Sequence, residues 1–197
     1  MYEYKCVHLP ETKKRRFICV RRKIGKTRKK GFMNKHIPLS TPTMHGNEIE
    51  YINEAFKLNW VAPLGFNCHM FETETCEYLS KDSGEELQAL STVSGTSALH
   101  LAVKLAGIKS GDVVLCSDMT FVASANPVSY EGGKTVFVDS EYETWNMDPK
   151  ALEKAFELYP EVKVVVVVNL YGTPAKLDEL RAICDKHGAV MIEDAAE

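Results

Sequence analysis

The sequence has no CxxC pair, no apolar run of membrane-spanning length, no apolar segment behind its N-terminus and no internal repeat. Each absence narrows what the chain can be. The scattered Cys6, Cys19, Cys68, Cys76, Cys116 and Cys184 argue against a zinc knuckle and fit reduced thiols, and no metal site is expected. No candidate membrane helix is present and nothing resembles a signal peptide, so a cytoplasmic location without a membrane partner is expected. What is present is an ordinary globular composition, 45% hydrophobic and 26% charged over 197 residues, enough for one domain with a sizeable core and unlike that of a disordered chain.

The net charge of −3 hides a sharp division. Residues 1–32 carry twelve Lys or Arg against Glu3 and Glu11, a charge of +10 that leaves −13 for residues 33–197. Runs such as Lys13-Lys14-Arg15-Arg16 and Arg28-Lys29-Lys30 could contact phosphates. A simpler account is that Lys29-Lys30-Gly31-Phe32 precedes a true start at Met33, since codons for Lys-Lys-Gly can spell a purine-rich ribosome-binding sequence. Residues 1–32 are accordingly expected to be a basic extension outside the fold, with no nucleic-acid partner.

From Gly46 the apolar residues Ile49, Ile52, Ala55 and Phe56 share one helical face, and the irregular Asn59–Gly65 segment ends that period. Met70, Phe71, Cys76, Tyr78 and Leu79 predict a second helix, closed by the polar residues Lys81–Gly84. Strands and helices then alternate. Strands are predicted at Gln88–Val93, Asp112–Cys116, Lys134–Val138, Val162–Val168 and Ala189–Glu193. Between them fall helices at Thr96–Ala106, a short one containing Pro127, one from Asp148-Pro149 to about Tyr159, and Lys176–His187 closed by Gly188. The unbroken valine run is the pattern of a strand buried on both faces, and the alternation implies an α/β fold whose mostly parallel sheet carries helices on both sides.

Ligands of such sheets bind beyond the carboxyl ends of the strands. Ser94-Gly95-Thr96-Ser97 could offer free helix amides to a phosphate, or be a commonplace small-residue turn. Phe121 could lay its ring on a flat cofactor, or belong to the core. The turn Asn169–Pro174 could reach a ligand or merely reverse the chain. Asp194 ends a buried strand where an unpaired charge is costly, so it wants a cation, which could be a protonated pyridine nitrogen or a structural Arg or Lys.

Taken together and in order, several segments closely resemble the DegT/StrS family of nucleotide-sugar aminotransferases, fold type I enzymes dependent on pyridoxal 5'-phosphate. They are Ile37–Ser40, Asn59–Gly65, Ser94–Ala102, Thr120–Ser124, Thr144–Pro149, Asn169–Gly172 and Ile192–Glu197. The resemblance covers Met33–Glu197 and is strongest to enzymes that aminate a UDP-linked 4-keto-6-deoxy sugar for exopolysaccharide or glycan synthesis. It implies a three-layer α/β/α major domain, of which residues 33–197 are the N-terminal part, ending before the last strands. It also implies that Gly95 and Thr96 hold the cofactor phosphate, Phe121 stacks on the pyridine ring, Asp194 pairs with the ring nitrogen and Glu197 lies near the phenolic oxygen. Glu197 stands where glutamine is frequent, and Asn169 where histidine is, leaving Asn169 a weak candidate. Glutamate as amino donor, a nucleotide-sugar substrate and a homodimer of the full-length protein follow from the same resemblance.

The family's Schiff-base lysine is expected beyond Glu197, so no catalytic residue is assigned, and Lys176 and Lys186 are expected to be solvated helix residues. This chain alone is expected to show no borohydride-fixable visible absorption, to leave Gln88–Val93 without the neighbouring strand that the family's last strands supply, and to be poorly soluble or molten. A dehydratase of the same family, with histidine replacing the lysine, and a non-catalytic remnant stay open as alternatives.

Overall fold

The computed structural model describes residues 2–6, 19–23, 41–83 and 87–197. They fall into two compact units, residues 1–48 and 49–197. In the first, β1 (Tyr2–Cys6) and β2 (Cys19–Lys23) pair antiparallel, Tyr2 opposite Lys23 and Cys6 opposite Cys19, where the sequence predicts no strand. The basic runs Lys13–Arg16 and Arg28–Lys30, the candidate start Met33 and the Ile37–Ser40 segment lie outside the described residues.

The larger unit carries α1 (Glu48–Lys57) and α2 (Phe66–Ser83). Ile49, Ile52 and Phe56 are helical, as their spacing predicts, yet α1 buries no residue and all three are exposed. The α/β body follows, with α3 (Gly95–Leu105), β3 (Val113–Ser117), α4 (Asn126–Tyr130), β4 (Lys134–Val138), α5 (Pro149–Leu158), β5 (Val164–Val168), α6 (Leu177–His187) and β6 (Val190–Asp194). The sheet order is β4-β3-β5-β6, and every neighbouring pair is parallel.

Alternation along β5 explains the valine run. Val164 and Val166 pack with Leu99, Val103, Cys116 and Val128 on the α3–α4 face. Val165 and Val167 pack with Leu115, Leu152, Phe156 and Leu180 on the α5–α6 face. Both faces of the strand are therefore apolar, and the sheet lies between two helical layers. Among the described residues no helix is long and apolar enough to cross a membrane.

Local signals set the helix ends. The Asp148 side chain accepts the Lys150 amide at 2.9 Å while Pro149 takes the first helical position. Gly188 closes α6 at φ 65°, where a side chain would be strained. Asp148→Ala is expected to cost about 1 kcal/mol of stability, read as a lower urea midpoint at unchanged slope; an unmoved midpoint would refute the cap.

One expected strand is not formed. Gln88–Val93 joins no ladder, so the parallel sheet has four strands among the described residues rather than five. The Ser91 N–H and hydroxyl both donate to Glu72 Oε1, at 2.8 and 2.7 Å, while Leu90 and Val93 are exposed. A strand requires a neighbour's backbone to complete its hydrogen bonds, and the described residues supply none.

Candidate functional site

Strand order reverses at β3, which has β4 on one flank and β5 then β6 on the other. The carboxyl ends of β3 and β5 therefore open on the crevice where parallel α/β sheets receive ligands. From that edge the segment after β3, a 3-10 turn over Val122–Ser124, reaches the end of β6.

At the start of α3, the Ser94 hydroxyl accepts the Ser97 amide at 3.2 Å and the Ser94 carbonyl accepts the Ala98 amide at 3.0 Å. The Gly95 and Thr96 amides belong to the first turn, whose N–H groups have no intrahelical acceptor, and the helix dipole there favours an anion. A Cβ built on Gly95 would meet nothing within 4 Å, so no protein neighbour demands glycine there and the space is open. Gly95, Leu99, Ile192, Asp194, Ala195 and Ala196 are among the residues lining one open cavity of about 320 Å³.

Asp194 is the last residue of β6 and half-buried. Its Oδ2 accepts a 2.6 Å hydrogen bond from Ser124 Oγ, and Thr120 Oγ1 lies 2.6 Å from the same Ser124 oxygen. Among the described residues Asp194 forms no ion pair with Lys or Arg, so the structural-cation alternative left open by the sequence has no partner there. Its charge reaches the core nonetheless. Burial first, then Asp194 and Asp118, push the Cys116 thiol up to about 12. Cys116 should thus resist alkylation in the folded protein at pH 8 and react only on unfolding, as mass spectrometry of iodoacetamide-treated samples would show; native-state labelling would refute the assignment.

Phe121 is 77% exposed, which excludes a core role and leaves an aromatic face uncovered between β3 and Ser124. Glu197 is exposed, with its carbonyl 3.6 Å from where a Cβ on Gly172 would sit, so it lies by the Leu170–Gly172 turn. The structure therefore brings Gly95 and Asp194 to one cavity, puts Thr96 next along α3, and sets Phe121 and Glu197 outside the cavity lining. Asn169 is committed elsewhere: its Nδ2 donates to Glu193 Oε1 at 2.6 Å and its Oδ1 accepts the Ala175 amide at 2.9 Å.

The two lysines expected to be solvated keep solvent access, Lys186 at 64% and Lys176 at 33% side-chain exposure, and each also forms an ion pair. Lys176 Nζ lies 2.8 Å from Glu143 and 3.7 Å from Glu141, and the Glu143 contact leads in raising its pKa. Lys186 pairs with Glu153. Neither lines the cavity. Sequence inspection gave no role to Ser124 or Asn146. Asn146 is 2% exposed, and its amide donates to the Thr173 carbonyl at 2.9 Å and accepts the Leu170 amide at 2.8 Å. It thereby holds the turn in which Tyr171 is at φ 52° and Gly172 at φ 73°. The available signal was a small polar residue inside an otherwise apolar or turn-forming stretch, which does not say what it meets.

The profile of the DegT/DnrJ/EryC1/StrS aminotransferase family matches residues 42–197. EpsN of Bacillus subtilis (strain 168), named as a pyridoxal phosphate-dependent aminotransferase, is 48% identical over 169 residues, which is 84% of this chain and 42% of EpsN. GDP-perosamine synthase of Escherichia coli O157:H7 is 35% identical over 164 residues, covering 83% of this chain and 43% of the enzyme. Among solved structures, DesV of S. venezuelae matches with a TM-score of 0.66 at 33% identity, over 76% of this chain and 39% of DesV. This chain thus spans less than half the length of these curated relatives.

Proposed function

This chain belongs to the DegT/DnrJ/EryC1/StrS aminotransferase family, and from that premise we propose that its protein transfers an amino group from glutamate to a nucleotide-linked 4-keto-6-deoxy sugar for polysaccharide or glycan biosynthesis. The observation that carries the reading is the Asp194 carboxylate, which has no Lys or Arg partner among the described residues and shares a cavity with the first turn of α3. These residues suit pyridoxal 5'-phosphate: an anion site at one end, a carboxylate at the other and an uncovered aromatic ring nearby.

In this reading the Gly95 and Thr96 amides hold the phosphate and the Phe121 ring lies against the pyridine face. Asp194 keeps the ring nitrogen protonated, and Glu197 stands toward the phenolic oxygen. The bound, protonated ring supplies an electron sink for reactions at the amino-acid carbon. The residues of this chain bind and orient it, and among the described residues no lysine lines the cavity that Asp194 shares with Gly95. Residues 33–197 are read as the N-terminal part of the major domain of a cytoplasmic homodimer.

The test incubates the full-length protein with pyridoxal 5'-phosphate, glutamate and a UDP-linked 4-keto-6-deoxy sugar. Expected are one aminated sugar and one 2-oxoglutarate per turnover, by mass spectrometry. A sugar that has lost one oxygen atom and gained no nitrogen, with one ammonia released per 2-oxoglutarate, would establish the dehydratase instead.

A further inference from the structure

We propose that Ser124, with Thr120 behind it, is a positioning residue that pins Oδ2 of Asp194 and leaves Oδ1 available to a ligand in the cavity shared with Gly95. The proposal rests on reading Asp194 as the partner of the cofactor's ring nitrogen. Asp194 is the last ladder residue of β6, opposite Val168, and its carbonyl accepts the Asn169 amide at 3.1 Å, so its backbone is held while the torsions that aim its carboxylate are left to other contacts. What orients it comes from another part of the chain. Ser124 is 1% exposed, 2.6 Å from Asp194 Oδ2 and 2.6 Å from Thr120 Oγ1.

The hydrogens can be assigned by counting. An ionised carboxylate only accepts, so the single Ser124 hydroxyl hydrogen goes to Asp194; the one Thr120 hydrogen has two acceptors in reach, Ser124 Oγ at 2.6 Å and the Phe121 carbonyl at 3.2 Å, and the shorter contact, which has no other hydrogen to fill it, takes it. The chain runs Thr120 to Ser124 to Asp194, each donor polarising the next, and its last bond is short and charge-assisted. No described residue donates to Oδ1. A carboxylate already held in one orientation loses less freedom when a cationic ring nitrogen pairs with it.

The experiment measures, in the full-length protein, the affinity of pyridoxamine 5'-phosphate relative to its 1-deaza analogue, in which C–H replaces the ring nitrogen. That ratio isolates what the ring nitrogen contributes. Ser124→Ala should lower the ratio about tenfold, the effect of one lost hydrogen bond to a charged group, with affinity for the deaza analogue unchanged. Ser124→Thr, which keeps a hydroxyl, should retain most of the ratio. Thr120→Val leaves Ser124 in place and should lower the ratio about threefold, so the test survives if Ser124→Ala fails to fold. An unchanged ratio in these variants, or equal weakening of both ligands as a merely structural role would give, overturns the proposal. Asp194→Ala separates the two ideas: if it removes the ratio while Ser124→Ala and Thr120→Val do not change it, the Ser124 assignment alone is wrong. If Asp194→Ala leaves the ratio intact, the reading of Asp194 itself falls.

Discussion

Asp194→Ala is expected to weaken binding of pyridoxamine 5'-phosphate to the full-length protein by about tenfold to a hundredfold, the range spanned by a hydrogen bond to a charged group. The carboxylate is half-buried, accepts from Ser124 and has no Lys or Arg partner among the described residues, so its charge is available to a cation from outside the chain. Alanine removes that charge and also leaves the buried Ser124 hydroxyl without its acceptor, so some loss of stability accompanies the loss of affinity. Titration calorimetry separates the two, provided a melt shows the variant folded. Asp194→Asn keeps size and one acceptor but not the charge, and should also bind weakly. Wild-type affinity in both variants would remove the ground for the proposed function.

Phe156→Ala is expected to cost about 3–5 kcal/mol, as for other large aromatic truncations in a core. Phe156 is 1% exposed on α5 and belongs to the cluster that includes Leu115, Val165 and Leu180. Its ring also stacks on the His187 ring of α6, with centroids 4.3 Å apart and planes 4° from parallel. Truncation therefore opens a cavity and uncouples α5 from α6. Such a loss is a large share of the roughly 5–15 kcal/mol that holds a typical domain together. Urea unfolding measures it, and a change below about 1 kcal/mol would mean that the layer is not packed as described. Phe121 provides the contrast. It is 77% exposed, so its truncation should barely move the urea midpoint, and any effect should appear in ligand binding.

These two phenylalanines show where sequence inspection stops. Both sit in mixed stretches of apolar and polar residues, and local composition suits either for the core. Burial of Phe156 follows from α5 lying on the sheet beside α6, whereas Phe121 falls just past the carboxyl end of β3, where the layers no longer cover it. Gln88–Val93 joins no ladder, in keeping with the expected loss of its neighbouring strand. Its composition suits a strand, but a strand exists only where another backbone pairs with it. Both lysines keep solvent access, as expected; what local sequence does not show is that Lys176 meets Glu141 and Glu143 from a different segment.

The sequence by itself determined most of the elements and the family. The valine run of β5, the Asp148 cap and the closing Gly188 are local features whose meaning depends on residues within a few positions. Only the tertiary structure decided which of the four sheet-edge segments meet. Ser124 and Asp194 are 70 residues apart in the chain and 2.6 Å apart in space. That contact depends on strand order, which places β6 two strands from β3, and no local period of hydrophobicity encodes the order in which strands pair.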